Sequence, residues 1–498
     1  MKKLKFPTAQ TILILIATFV AILTWLIPAG KYESLLYIAS SNTFHKISIE
    51  ETSSLPATQE TLNRLSIKIP LEKFTSGAIY KAVSIPNTYR ALEAKPQGIL
   101  ALIQAPIKGI IEAADIIFLV LIIGGLIGIM NTTGAFDAGI SWLAKTLNGR
   151  EYLLIILVTA ITAIGGTTFG MSEETMAFYP ILVPVFIAAR YDAMVGVACI
   201  FIGSAIGLLF SITNPFATII ASDAAGINWT TGMYGRCLML IIGLVVCILY
   251  ILRYAKRVKA DASKSLVFDQ KEDLEQMFGL TTDGDKKLNT RLRLILFIFS
   301  LSFLVMIIGV SFLEWWFVEM TSTFFIAAIV IGFVGQIKEY DFVDAFSKGA
   351  GDLLSVAFII GIARGITIIM DDGLISDTVL YHASTVTEGM NKGVFANLLM
   401  FIYAGLSFFI PSQSGMAVLT MPIMSPLADT VGVGREVVVN AYLYGLGLFY
   451  FINPTSMILA ALAIVKIGYN KWLKFIGPLV LILTILVIIS LTFSVYFN

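Results

Sequence analysis

The chain has 498 residues, of which 57% are hydrophobic and 13% are charged, and its mean hydropathy is +0.87. Ordinary globular domains carry about 25% charged residues, so most of this chain is predicted to lie in lipid. Lysine and arginine (34) nearly balance aspartate and glutamate (33), which leaves no basic surface for a nucleic acid. The three cysteines lie in apolar stretches and neither histidine has a second ligand at metal spacing, so no disulfide, metal site or cofactor is predicted.

Several stretches reach the length that a spanning helix needs, about 20 apolar residues. They are residues 10–29, 114–130, 233–254, 294–313, 321–336, 353–370 and 475–496. The first is interpreted as a spanning helix and not as a cleaved signal, because it is long and lacks a small-residue cleavage site. Other apolar stretches are interrupted near their middles by glycine, proline and polar residues, which predicts broken helices at 153–180, 193–216, 394–426 and 437–460.

Two hydrophilic segments separate the apolar stretches. Residues 255–293 contain basic clusters beside helix ends, and such clusters mark the cytoplasmic side of a membrane. The segment 30–96 is longer than about 60 residues, a length at which basic residues no longer mark the cytoplasmic side. This segment is therefore placed outside. Its mixed polar composition is compatible with a small folded domain.

The chain contains an internal repeat. Residues 97–257, named copy one, and residues 340–498, named copy two, share landmarks in the same order at a separation of 239 to 242 residues. The matched landmarks are Lys108-Gly109 with Lys348-Gly349, Met130 with Met370, Pro180 and Pro184 with Pro422 and Pro426, and Asn214-Pro215 with Asn453-Pro454. Chance matches would drift far more in their separation.

Counting the crossings places the two copies upside down relative to each other. One helix separates the basic N-terminus from copy one, whereas two helices separate the cytoplasmic linker from copy two. We therefore predict an all-α polytopic membrane protein of two inverted-topology repeats with re-entrant hairpins and broken helices. The predicted parts are a first transmembrane helix with an extracytoplasmic segment (1–96), transport repeat 1 (97–257), a cytoplasmic linker with two linker helices (258–339) and transport repeat 2 (340–498). The N-terminus is expected in the cytoplasm and the C-terminus outside it.

The breaks predict where a solute binds. Non-helical backbone at membrane depth is tolerated only where it is buried in protein or lines a wet cavity. Two breaks, at 165–175 and 411–416, have the small residues and hydroxyls of re-entrant hairpin tips, which can bind carboxylate oxygens at half-helix N-termini. The candidate substrate-binding residues there are Thr167, Thr168, Ser172, Glu173, Glu174, Ser412, Gln413 and Ser414.

The other two breaks are the Asn-Pro pairs. Proline removes a backbone donor, and nearby side-chain oxygens can then face a sodium ion or the substrate. The candidate cation ligands are Thr213, Asn214, Asn453, Thr455 and Ser456, and both asparagines are also candidate substrate ligands. Ordinary helix kinks are the alternative, but the recurrence at equivalent positions favours a site.

Three charged residues lie inside apolar runs, where charge is costly and functional by default. Arg364 can hold a carboxylate bidentately, while Glu173 and Glu174 can meet an ammonium group or carry a coupled proton. Together these residues suit a zwitterionic amino acid. The alternatives are that Arg364 pairs with a glutamate, or that Glu173 and Glu174 reach a water-filled vestibule.

Four motifs carry a family resemblance: GMSEET (170–175), GIARGI (361–366), PSQSGMAVLTMPIMSPLAD (411–429) and NPTS (453–456). With them the chain resembles the YfcC branch of the anaerobic four-carbon dicarboxylate carrier (DcuC-type) family, over nearly its whole length. The resemblance implies inverted repeats with two re-entrant hairpins, a homodimer, and transport of amino acids or small carboxylates. The family pattern has an acidic residue between two glycines before the second Asn-Pro pair, whereas this chain has Leu446 there.

These observations predict a secondary active transporter of amino acids in a bacterial inner membrane. Basic amino acid antiport, such as arginine/ornithine exchange, is preferred, and a sodium- or proton-coupled carboxylate carrier is the alternative. The chain has no phosphate-binding loop of an ATP-driven pump. A hydrolase with Ser172 or Ser412 as nucleophile would lack a histidine base in a broken segment, and a channel would need a ring of like ligands. No catalytic residue is therefore predicted, and the expected partners are a small-molecule solute and the lipid bilayer.

Overall fold

The computed structural model describes residues 7–48, 51–136, 138–139, 142, 149–277, 288–313, 315–386, 390–410 and 412–497. Within these residues, eight helices are long and apolar enough to cross a membrane. The mostly helical, polytopic fold predicted from the sequence is confirmed. Seven of the eight helices match predicted spans, and the eighth, Lys392–Phe409, is the first arm of the stretch that was predicted as a broken helix at 394–426. The predicted basic N-terminus (1–6) and the linker residues 278–287 lie outside the described residues.

The segment between the first helix, α1 (Ala9–Leu26), and copy one folds into a small sheet domain. Its strands and helices are β1 (Gly30–Lys31), β2 (Ser34–Ile38), β3 (Thr43–Ile47), β4 (Thr52–Pro56), α2 (Gln59–Arg64), α3 (Leu71–Thr75), β5 (Val83–Ser84) and β6 (Arg90–Ala91). Four strands pair antiparallel in the order β4-β3-β2-β5, and β1 pairs with β6. Phe44 is fully buried and meets the ring of Phe74 edge to face at 5.2 Å, which closes the sheet domain's own core. The sheet domain adds strands to a chain whose spanning part is helical.

The remaining helices follow in chain order through copy one, the linker and copy two. Copy one has α4 (Ile99–Glu112), α5 (Ala114–Thr133), α6 (Tyr152–Thr168), a 3-10 turn (Glu173–Ala177), α7 (Tyr179–Ala188), α8 (Ala193–Leu209), a π-helical turn (Pro215–Ile219), α9 (Ile220–Ala224) and α10 (Met233–Ala260). The linker has two 3-10 turns (Ala262–Lys264 and Phe268–Gln270), α11 (Lys271–Met277), α12 (Thr290–Phe312) and α13 (Phe317–Gly335). Copy two has α14 (Glu339–Asp352), α15 (Leu354–Asp372), α16 (Ser376–Val386), α17 (Lys392–Phe409), α18 (Gln413–Thr430), α19 (Arg435–Tyr450), α20 (Ile458–Ile464) and α21 (Tyr469–Phe497).

The helix pairs α4-α5 and α14-α15 are two long rods, each broken once, that cross in opposite directions. A Cβ atom on Gly109 would lie 2.1 Å from the carbonyl oxygen of Gly361, and one on Gly349 would lie 2.2 Å from that of Gly124. The start of one rod therefore lies on the end of the other, at a separation that only glycine permits. This antiparallel crossing supports the inverted arrangement of the copies, which stays a prediction.

The centre of the molecule is built from α8 and α19, one from each copy. Every residue of α8 is buried, and α19 is buried along most of its length. Protein and not lipid therefore surrounds most of the surface of these two helices. They meet where a Cβ atom on Gly447 would lie 2.5 Å from the Cα atom of Leu209. Both helices end at the predicted Asn-Pro breaks, which are thus held in the protein interior.

Candidate substrate cavity

A cavity of about 400 Å³ lies where the two predicted hairpins meet the broken rods. Its wall contains residues of both hairpin tips, of the break between α4 and α5, of α15 and of both Asn-Pro regions, together with Tyr80 and Lys81 of the sheet domain. The charged lining residues are Lys81, Glu112, Asp115, Glu173, Glu174 and Arg364. Aromatic side chains, including those of Phe169, Phe216 and Trp316, form part of the remaining wall.

The first hairpin tip joins α6 to the 3-10 turn that precedes α7. Gly170 has a φ of +79°, and a Cβ atom there would lie 2.8 Å from the side chain of Asn214, so a glycine is required for the turn. Ser172 Oγ is hydrogen-bonded to the hydroxyl of Tyr450 at 2.7 Å, and the Ser172 N–H donates to Glu174 Oε2 at 3.0 Å. These bonds fix the tip against copy two and hold the carboxylate of Glu174 at the cavity.

The second hairpin tip is the start of α18. Ser412 Oγ accepts a hydrogen bond from the Gly415 N–H at 3.2 Å and so caps this helix. Tyr442 donates its hydroxyl proton to the Gln413 carbonyl at 2.7 Å, which pins the tip to α19. The Asn214 amide donates to Gln413 Oε1 at 3.4 Å and links the first Asn-Pro break to the second tip. The positive end of α18 therefore lies at the cavity wall.

Some charged groups of the cavity have a partner of opposite charge and others do not. Arg364 forms an ion pair with Glu112, and Lys81 Nζ lies 2.8 Å from Ser414 Oγ. Within the described part of the chain, no lysine or arginine nitrogen lies within 4 Å of a carboxylate oxygen of Asp115, Glu173 or Glu174. The wall thus presents three carboxylates that an incoming cation can neutralise.

The structure brings most of the predicted substrate residues to this cavity. The residues on its wall are Ser172, Glu173, Glu174, Arg364, Ser412, Gln413, Ser414 and Asn453. Thr167 and Thr168 lie off the wall, at the end of the helix that precedes the first tip. Thr167 Oγ accepts from the Ile212 N–H at 2.9 Å, and Thr168 donates to the Ile164 carbonyl at 2.7 Å. Asn214 lies between the two tips. Pro411, also predicted at the second tip, lies outside the described residues. The binding roles stay predictions.

The predicted cation ligands bond mainly to the breaks themselves. Asn453 Oδ1 accepts from the N–H of Thr455 at 3.0 Å and from its hydroxyl at 2.7 Å, and Asn214 Oδ1 accepts from the Phe216 N–H at 2.8 Å. Ser456 Oγ donates to the Asn453 carbonyl at 2.7 Å, and the Thr213 N–H donates to the Thr167 carbonyl at 3.1 Å. These bonds satisfy backbone groups at and beside the breaks, and the role of these residues in cation binding stays a prediction.

Three charged wall residues were not among the predicted site residues. Glu112 and Asp115 flank the break at Ala113, but they lie at the start of the predicted span 114–130, one just before it and one just inside it, and have the pattern of a membrane boundary. A mostly apolar run from residue 99 to residue 130 with two acids near its middle is the signal that could have identified them. Lys81 carries no such signal, because its place at the cavity depends on how the sheet domain packs on copy two.

Comparisons with known proteins give one family model and two relatives that match nearly the whole chain. The model of the DcuC family, described as C4-dicarboxylate anaerobic carrier, matches residues 6–496. A protein of Haemophilus influenzae, described only as uncharacterized, is 42% identical over 484 residues, which cover 96% of this chain and 95% of the relative. YfcC of Escherichia coli, a candidate basic amino acid antiporter by its description, is 29% identical over 495 residues, which cover 94% and 92%.

Two solved transporters are similar along nearly the whole chain. The YdaH transporter of Alcanivorax borkumensis has 12% sequence identity and a TM-score of 0.38, and the match covers 98% of both chains. MtrF of Neisseria gonorrhoeae, from a class of antimetabolite efflux pumps, has 13% identity and a TM-score of 0.39, with 99% of this chain and 96% of that chain covered.

Proposed function

The chain belongs to the DcuC family of C4-dicarboxylate anaerobic carriers, and we propose on this ground that it is a secondary active transporter. The charge of its cavity leads us to propose basic amino acids as its solutes. The chain is a multi-pass membrane transporter of this family. The proposed reaction is exchange of one basic amino acid, such as arginine, for another, such as ornithine. Membership of a carrier family supports transport over catalysis.

The charge of the cavity is the observation that carries the choice of solute. Its wall has four carboxylates and two cationic groups, an excess of two negative charges when all are ionised. Opposite charges attract and like charges repel, so an excess of one sign on the wall favours a solute of the other sign. A basic amino acid brings a net positive charge, whereas a dicarboxylate brings two negative ones. The description of YfcC as a basic amino acid antiporter supports the same choice.

A coupled carboxylate carrier is the second candidate. It is supported by the description of the family and by the cationic side of the cavity, where Arg364, Lys81 and the start of α18 lie. In that case sodium or protons would supply the coupling, with Asn453, Thr455 and Ser456 as the candidate cation ligands on the wall. Exchange of one amino acid for another needs no coupling ion.

Alternating access between the two copies is the proposed mechanism. Each hairpin contacts the broken helix of the other copy, since α18 packs on α9 and α7 packs on α20. Two inverted copies have two packings of similar energy, each open to one side of the membrane. We place the protein in a bacterial inner membrane with its N-terminus in the cytoplasm and its C-terminus outside. The sheet domain then lies outside the cell membrane.

Uptake by purified protein in proteoliposomes tests the proposal. Vesicles loaded with ornithine are expected to accumulate labelled arginine with or without sodium, whereas empty vesicles and vesicles loaded with succinate are not. Neutral amino acids, succinate and citrate serve as parallel solutes. Sodium-dependent uptake of succinate that excess arginine leaves unchanged would replace the first candidate by the second.

A further inference from the structure

The sheet domain places one of its own lysines in the cavity. Lys81 lies in the loop before β5, between Ile79 and Val83, which are 2% and 0% exposed. Val83 pairs with Leu35 of β2, and β5 packs on α18. Because both flanks of the loop are anchored in the core of the sheet domain, Lys81 is presented from a rigid support.

The surroundings of Lys81 favour an anion. Its Nζ lies 2.8 Å from Ser414 Oγ in the first turn of α18, where the helix dipole is positive. Burial, and after it the charge of Arg364, lowers the pKa of the Lys81 amine. Within the described residues, no carboxylate lies within 4 Å of Nζ. Arg364 differs in this respect, since it is paired with Glu112.

We propose that Lys81, with the start of α18, binds the carboxylate of the transported solute and makes the sheet domain a determinant of specificity. The inference rests on the proposed function. The cationic end of a basic amino acid then faces Glu173 and Glu174, on the wall contributed by the first tip. A carboxylate at Lys81 neutralises a cation that the protein leaves without an acidic partner, which gives the amino acid one orientation.

The test compares arginine with agmatine, which keeps the guanidinium group and lacks the carboxylate. Lys81→Met removes the charge at similar length, and Lys81→Arg retains it. Lys95→Met is the matched control, because Lys95 is an exposed residue of the same segment and does not line the cavity. The full chain is purified, and the affinities for labelled arginine and for competing agmatine are measured for each variant.

Lys81→Met is expected to weaken arginine binding about ten-fold or more and to change agmatine binding less than two-fold. Lys81→Arg should restore the preference for arginine, and Lys95→Met should match the parent protein. Equal losses for both ligands would mean a structural role and overturn the inference. Faster arginine uptake by Lys81→Met would also overturn the inference, because Lys81 would then obstruct the path of the solute.

The failure of this inference and that of the proposed function are distinguishable. If the parent protein binds succinate and not arginine, the proposed function is overturned, and the same variants are measured with succinate. A ten-fold loss of succinate binding in Lys81→Met would still support Lys81 as the carboxylate ligand. Unchanged binding of whichever solute the parent protein takes would exclude that role.

Discussion

The two hairpin tips occupy equivalent places in the two copies but differ in charge and in backbone. The first carries Glu173 and Glu174 in a short 3-10 turn, whereas the second is the capped start of the 18-residue helix α18, next to Lys81. Charge differs elsewhere on the wall as well, where Glu112 and Asp115 belong to copy one and Arg364 belongs to copy two. The cavity is therefore asymmetric in charge, with Glu173 and Glu174 contributed by the first tip and Lys81 placed beside the second.

Two tips of unlike charge can distinguish the two ends of an asymmetric solute in a pseudo-symmetric protein. In the proposed mechanism, repetition of the frame supplies two similar packings, and the unequal tips orient the ligand. One helix of copy two contacts both tips: Tyr450 of α19 bonds to Ser172, and Tyr442 of α19 bonds to Gln413. The tips are therefore held at a fixed separation by a single buried element.

The largest effect is expected when the charge difference between the tips is removed. The double substitution Glu173→Gln and Glu174→Gln keeps the shape of the first tip and deletes its negative charge. Loss of charged partners in a desolvated site costs about 2–5 kcal/mol, which corresponds to a decrease in affinity of at least about 30-fold. We expect that loss for arginine, measured from the concentration dependence of initial uptake in proteoliposomes.

Glu151→Gln is the matched control for this double substitution. Glu151 pairs with Lys259 at 3.0 Å and does not line the cavity, so its removal should leave arginine affinity within two-fold of the parent value. Arginine affinity that stays unchanged after loss of both Glu173 and Glu174 would remove them from the site and erase the functional difference between the tips.

A smaller effect, on stability, is expected from a substitution at the close crossing of the two rods, to which both copies contribute. Gly349→Ala places a methyl group on the carbonyl oxygen of Gly124 at the crossing of the two rods. Overpacking of this kind costs about 1–3 kcal/mol, so the midpoint of thermal unfolding in detergent should fall. Gly351→Ala is the control, since nothing lies within 4 Å of a Cβ atom there, and alanine favours the helix by up to about 1 kcal/mol. Equal midpoints for the two variants would contradict the close crossing.

The smallest effects are expected from loosening one tip at a time. Tyr450→Phe deletes the bond to Ser172 at the first tip, and Tyr442→Phe deletes the bond to Gln413 at the second. Each bond contributes about 0.5–1.5 kcal/mol, so each variant should lose about two- to ten-fold in arginine affinity. Agmatine distinguishes the two variants, because Tyr450→Phe should weaken agmatine binding and Tyr442→Phe should not. The reverse pattern would assign the cationic end of the solute to the second tip.

Much of the fold follows from patterns that the sequence displays directly. The span predicted at 233–254 lies within α10 (Met233–Ala260), because a run of apolar residues of that length has few alternatives to a spanning helix. The landmarks spaced by about 240 residues predict two copies of one unit, and this division of the chain stays a prediction. The sheet domain was not predicted in detail, since strands as short as Ser34–Ile38 carry a weak alternation.

The candidate site was predicted only in part. Glycine, serine and proline identified both tips, because these residues interrupt an apolar helix visibly. The break at Ala113 contains no glycine or proline, so Glu112 and Asp115 were not recognised beside it. Lys81 meets Ser414 across 333 residues of sequence, a contact that depends on the docking of the sheet domain. Packing between distant segments, and not local pattern, decides that part of the wall.

Equilibrium binding of labelled arginine to the purified protein, with ornithine and succinate as competitors, tests the central claim most directly. A cavity with excess negative charge and two unequal tips predicts saturable arginine binding that ornithine displaces and that an equal concentration of succinate does not. Displacement by succinate, or binding of succinate without any binding of arginine, would contradict the account.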